Sequence, residues 1–156
     1  MTQKGKAFVV VGHSNWGKSF TLISLTGSRH KMLIQVDGEQ LKVKKMSNDD
    51  IPKGPGGLLD FVEVSIKSKY AYIVLALCPN FVDADRETEH ILKTLSPKYD
   101  LFFWVMRERY GDRNTQVTDD QINRLKKWGT VEVFEGHAED TVRAVGFKKF
   151  IEQHLR

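Results

Sequence analysis

The chain alternates short, nearly pure apolar runs with longer stretches in which hydrophobic positions recur every three or four residues. Ala7–Val11 is a five-residue apolar run and reads as a buried strand. Phe20–Thr26 follows with the spacing of a packed helix, which Thr26-Gly27-Ser28 ends. Met32–Asp37 predicts a second strand, and Gln40–Met46 alternates like a half-exposed one. Asp37-Gly38 between them is a hairpin signal. Asp37 is equally well placed at the end of a parallel strand, with the next segment leaving the sheet. Ser47–Gly57, rich in Pro, Gly, Asp and Asn, predicts a surface loop. In Leu58–Lys67 the positions Leu58, Leu59, Phe61, Val62 and Ile66 fit a helix face. A strand through Phe61, Val62, Val64 and Ile66 is the alternative, and helix is preferred because a strand follows directly.

Tyr70–Cys78 is nearly unbroken apolar sequence, the pattern of a central parallel strand covered on both faces. Asp83–Leu95 predicts a helix with acidic residues in its first turn, stopped by Ser96-Pro97. Leu101–Met106 is another buried strand, and Arg107–Asn114 is a charged loop at its C-terminal end. Thr118 and Gln121 form a capping box for a helix through Trp128, and Gly129 ends it. Thr130–Phe134 is the last strand. Ala138–Leu155 closes the chain as an amphipathic helix, with Val142, Val145, Phe147, Phe150, Ile151 and Leu155 on or near one face. This alternation predicts a single α/β domain over residues 1–156, a three-layer α/β/α sandwich with a mostly parallel five-stranded sheet. Crossovers are expected to be right-handed and ligands to sit at the C-terminal ends of the strands.

Composition narrows the class. A chain of 156 residues with 40% hydrophobic and 28% charged residues suits one soluble domain with one core. A single cysteine, Cys78, excludes an intrachain disulfide and points to a reducing compartment. The polar start has no signal-peptide pattern, and no apolar run approaches membrane-spanning length. A cytoplasmic protein without a membrane partner is expected. The net charge of +4 permits an anionic partner, nucleic acid included, without requiring one.

The candidate chemistry begins at the first strand–helix junction. Gly12-His13-Ser14-Asn15-Trp16-Gly17-Lys18-Ser19 reads G-x-x-x-x-G-K-S. Gly12 and Gly17 let the backbone curl around an anion, and the loop amides and helix N-terminus direct partial positive charge at phosphate oxygens. These eight residues and Phe20 form the candidate nucleotide-binding set, with Lys18 reaching the β/γ-phosphates and the Ser19 hydroxyl placed for Mg²⁺. A glycine-rich turn that binds nothing is the plainer alternative, disfavoured by the strand before and the helix after. Other candidates follow the other strands: Asp37 and Glu39, then Cys78, Asn80 and Asp83, then Arg107, Arg109 and Arg113, then Gly136 and His137.

Phosphoryl transfer needs charge neutralisation, an aligned acceptor and a proton acceptor. Asp37 is a candidate for acceptor binding, for general base, or for a water-mediated Mg²⁺ contact; as a turn residue it does none of these. Arg107, Arg109 and Arg113 can clamp the transferred phosphate or stack on an adenine ring, Arg107 and Arg109 as catalytic candidates and Arg113 as a nucleotide-binding one; the alternative is a solvated charged loop. Arg86 reads as an exposed helix charge. Trp16 either covers the nucleotide or packs on Leu58 and Leu59. His13 and His137 lack metal-ligand spacing, Cys78 reads as packing, and no Ser/His/Asp elbow is present.

The loop resembles the Walker A element of P-loop NTPases and kinases, and the resemblance implies the P-loop NTPase fold, a nucleoside triphosphate and Mg²⁺. The chain is similar in pattern to small kinases of nucleosides, nucleotides, polynucleotide ends and adenylylsulfate. Leu33–Glu39 resembles their Asp-containing second strand, Arg107–Arg113 their arginine-bearing lid, and Val131–Leu155 their closing strand, loop and helix. Asn15-Trp16 departs from the small residues usual in kinase loops, and the lid is short. This likeness implies an ATP-dependent phosphotransferase that moves the γ-phosphoryl group to a hydroxyl or phosphate of a small molecule, nucleotide or nucleic acid. The loop is also similar to the G-x-S-N-x-G-K-S of translation-factor-like GTPases, with GTP in place of ATP. Yet no D-x-x-G follows a strand at the expected place, and Arg107-Glu108-Arg109 stands where N-K-x-D belongs, so that branch ranks second. The apolar strand ends in Cys78 where an acidic Mg²⁺ motif is expected, which leaves a third reading: a non-catalytic, nucleotide-dependent binding module.

Overall fold

A computed structural model describes residues 4–12, 18–28, 30–45, 57–79, 81, 87–109, 112–134 and 140–155. In chain order the elements are β1 (Gly5–Val11), α1 (Lys18–Thr26), β2 (Leu33–Val36), β3 (Glu39–Lys44), α2 (Leu58–Lys67), β4 (Tyr72–Leu77), α3 (Glu87–Leu95), β5 (Tyr99–Met106), β6 (Glu108–Arg109), β7 (Asp112–Gln116), α4 (Asp119–Lys126), β8 (Gly129–Phe134) and α5 (Asp140–Leu155). The main sheet has six strands in the order β2-β3-β4-β1-β5-β8, where the sequence predicts five. Five of them run parallel, and β2 is an antiparallel edge strand paired to β3.

The extra strand comes from the Asp37-Gly38 turn. Both residues have positive φ, 50° and 82°, as a two-residue hairpin turn of the twist-matched type demands. The hairpin alternative is therefore the one realised. The Arg107–Asn114 region also differs from the predicted loop. It contains part of a second, two-stranded antiparallel sheet, β6 with β7.

Burial follows strand position. Ala7–Val11 in β1 and Ile73–Leu77 in β4 are fully buried, because central parallel strands are covered on both faces. In β3 the buried Leu41 and Val43 alternate with partly buried neighbours, and β8 alternates partly buried with exposed positions over Gly129–Glu132. Helix α1 packs on α5, and α2 on α3. Right-handed crossovers account for this division. The connection from β1 through α1 runs toward the β2 edge, whereas those through α2, α3 and α4 run toward β8. Opposite directions place the helices on opposite faces. Helix α5 then returns beneath the sheet, with Phe147 against Trp104 at 5.6 Å between ring centres.

The predicted face of α5 needs two corrections. Val142 and Val145 are 54% and 56% exposed, while Arg143, Ala144, Phe147, Phe150, Ile151 and Leu155 form the buried stripe. Helix α5 runs antiparallel to β1, because Lys6 Nζ, near the start of β1, donates to the carbonyls of His154 and Leu155 at 2.8 and 3.0 Å. A cation there also complements the negative end of the helix.

Candidate functional site

The topology singles out one crevice. Strands β1 and β4 are neighbours, but the connections that leave their C-terminal ends go to opposite faces of the sheet. This is the switch point at which open α/β sheets leave a gap for ligands. Gly12 N–H donates to the Leu77 carbonyl at 3.2 Å, so the ends of the two strands are tied just where the chains diverge. Helix α1 begins at Lys18 above the end of β1. The sequence-predicted loop thus borders the crevice with its described ends, Gly12 and Lys18. Its residues His13, Ser14, Asn15, Trp16 and Gly17 lie outside the described residues, as do the side chains of Ser19 and Phe20.

Lys18 is 5% exposed, and its Nζ donates to the Gly12 carbonyl at 2.7 Å. A buried ammonium requires such partners, since desolvating it alone is costly. The contact holds a positive charge beside the end of β1, on the side from which α1 starts. Across the crevice, Thr88 in the first turn of α3 is fully buried, and its Oγ1 donates to the Cys78 carbonyl at 2.8 Å. That bond fixes the chain after β4. Cys78 is buried, whereas Asn80, Asp83 and Arg86 lie outside the described residues.

Arg107 follows β5 at the same rim. Its guanidinium pairs with Asp119 at 2.6 Å, and its backbone links β8 through the Phe134 carbonyl. Helix α4 also reaches back to the segment after β4: Gln121 Nε2 donates to the Pro79 carbonyl at 3.0 Å, and Arg124 Nη1 to the Phe81 carbonyl at 3.2 Å. The loops after β4 and β5 are thus strapped together by one helix. Arg109 sits on β6 and Arg113 on β7, directly beyond Arg107. Gly136 and His137 lie outside the described residues.

Asp37 is not at this rim. Val43 is level with Val74 and Phe8 across the sheet. Asp37 precedes Val43 by six residues and Gly12 follows Phe8 by four, so the two sit about 30 Å apart along the strand direction. The hairpin turns at the N-terminal edge of the sheet because β3 runs parallel to β4. Asp37 instead borders a hollow with Lys149, Glu152 and Gln153 near the end of α5. Glu39 begins β3 at the same wrong end. The roles considered for Asp37 as base, acceptor ligand or Mg²⁺ partner therefore have no geometric support.

Arg143 was missed by the sequence reading. It is 2% exposed, and it lies one turn before Phe147, which packs on Trp104 opposite Val10. That turn brings Arg143 level with the end of β1, on the face shared by α1 and α5. The signal was available: extending the Phe147–Phe150–Ile151 stripe back by four residues lands on position 143. Among the described residues no group of three or more His, Cys, Asp or Glu side chains is placed to hold a metal. No helix among them is long and apolar enough to cross a membrane. No family model matches the chain, and no curated protein matches it in sequence.

Proposed function

We propose that the chain is a P-loop protein that binds magnesium ATP in the β1–β4 crevice and moves its γ-phosphoryl group to an acceptor. The observation that carries this reading is the coincidence of two independent signals. The G-x-x-x-x-G-K-S spacing and the topological switch point fall on the same strand end, with the buried Lys18 ammonium between them. Lys18 supplies charge for the β/γ-phosphates, and the start of α1 adds its partial positive charge. Ser19, next in α1, would hold Mg²⁺, which supplies charge neutralisation on the phosphates when bound. Arg107, with Arg109 and Arg113 farther along the chain, belongs to the segment that the kinase resemblance reads as a lid.

A second reading has its own observation. Asp37 lies on the opposite edge, and β4 runs into Cys78 where an acidic Mg²⁺ motif is expected, as suits a nucleotide-dependent binding module. Titration with ATP and GTP, followed by product analysis over nucleosides, nucleotides and oligonucleotides, separates the readings. ATP-selective binding with a phosphorylated product supports the transferase. Binding without any product supports the module, and GTP-selective binding supports the GTPase branch.

A further inference from the structure

The opposite end of the sheet has a different character. The N-terminal ends of β4, β1 and β5 surround a cleft of about 440 Å³ lined by Lys4, Lys69, Lys98, Tyr70, Tyr72 and the buried Tyr99. Beyond Lys4 and Tyr99, which both hollows share, lies a shallower depression of about 690 Å³ that adds Lys126, Lys127 and Trp128. Lys4, Lys69, Lys98, Lys126 and Lys127 are exposed, and none of them makes an ion pair among the described residues. Among the described residues lining the two hollows, the one carboxylate is Asp100. Tyr70 and Tyr72 are half-buried and line the cleft. The Tyr70 ring already holds a cation, with Lys42 Nζ 5.4 Å from its centre.

Lys69 adds a separate observation. It occupies the left-handed position after α2, with φ 56°. Tyr70 N–H donates to the Ser65 carbonyl at 3.0 Å and Lys69 N–H to the Ile66 carbonyl at 3.2 Å. This is the Schellman arrangement, whose left-handed residue is ordinarily glycine. A lysine there gives up stability and places a charge on the lip of the cleft; strained residues of this kind cluster where a ligand is held.

We propose that this cleft docks single-stranded nucleic acid, with phosphates on Lys4, Lys69 and Lys98 and a base against Tyr70 or Tyr72. Charge interleaved with aromatic faces is what a flexible strand needs, since the backbone follows the cations while bases stack. A duplex offers no free base face to the tyrosines along its length, and the carboxylates of an acidic protein do not each bring a stacking ring as nucleotides do. The site is independent of the β1–β4 crevice, since β1 alone separates the two by about 20 Å.

The test is fluorescence anisotropy with a labelled oligothymidylate about twenty nucleotides long, over a range of salt. The wild-type chain is expected to bind it, with log K falling linearly in log salt. Combining Lys69→Gly, Lys4→Ala and Lys98→Ala should weaken binding at least about tenfold and flatten the salt slope by roughly 2. Lys69→Gly alone should weaken binding while its thermal midpoint stays level or rises, which a merely structural lysine would not do. Tyr72→Leu should weaken the oligonucleotide but not inorganic polyphosphate, and Lys18→Ala should bind the oligonucleotide as wild type does. Failure of the wild type to bind, or undiminished binding by the triple variant, overturns the proposal. Equal affinity for polyphosphate with no effect of Tyr72→Leu or Tyr70→Leu also overturns it, since the surface would then be a general polyanion patch.

Discussion

Lys18 has almost no contact with water, and its charge is anchored on the carbonyl that opens the loop. Lys18→Ala should therefore reduce ATP affinity at least about tenfold, since a charge-assisted contact to phosphate is lost; calorimetric titration of both proteins checks it, and equal affinity would remove Lys18 from the site. Tyr99 makes a different case. Its hydroxyl donates to the carbonyls of Tyr70 at 2.7 Å and Ser65 at 3.2 Å, and burial, with Tyr70 adding a smaller effect, pushes its pKa from 10.0 up to about 12. The folded state holds this proton more tightly than the unfolded chain does. Its contribution is thus complete below about pH 10 and is lost as pH climbs through about 12. Wild type should lose stability over that window relative to Tyr99→Phe in denaturant titrations, and parallel curves would contradict the assignment. At neutral pH the same substitution should cost about 1 kcal/mol. Residues of this kind divide by how local their signal is. The G-x-x-x-x-G-K-S spacing that singles out Lys18 is contained in eight positions. Arg143 was not legible, because its charge concealed that it continues the apolar stripe of α5.

The helix α4 was predicted down to its cap, and the cap is present. Thr118 Oγ1 accepts from Gln121 N–H at 3.2 Å, and Gln121 Oε1 accepts from Thr118 N–H at 2.9 Å. Thr118→Ala should cost about 1 kcal/mol, read as a shift of the denaturation midpoint; no shift would make the box ornamental. Capping is written in adjacent residues, so sequence reveals it. Gly129 shows the reverse. As a sequence signal it stops α4, but in the fold it opens β8, and a Cβ there would lie 2.1 Å from the Leu101 carbonyl oxygen. Gly129→Ala should therefore destabilise by about 2 kcal/mol or more, a penalty that a simple helix stop outside the sheet would not incur. Strand-to-strand approach depends on which strands become neighbours, and nothing near Gly129 records that. The sixth strand has the same origin. Asp37-Gly38 announced a hairpin, yet only the pairing of β3 with β4 fixed where that turn would point.

Across the whole molecule, the sheet separates two poles. The β1–β4 crevice with Lys18 and the nearby Arg107 lies at one, and the Asp37 turn with the lysine–tyrosine cleft lies at the other. Alternation of strand and helix made the α/β class legible, because each element is a local pattern. Strand order was not legible, and it decides which post-strand residues meet. That is why Arg107 stays with Lys18 while Asp37 leaves it. Asp37→Asn should consequently leave nucleotide binding and turnover unchanged, since asparagine also tolerates a left-handed turn; a large loss of turnover would restore Asp37 to the chemistry. The central claim is that a triphosphate sits where β1 and β4 part. Amide hydrogen exchange with and without magnesium ATP tests it most directly. Added protection should fall on peptides covering residues 12–22 and 77–92, with none over 33–42. Protection confined to the hairpin, or no change anywhere under saturating nucleotide, would contradict it.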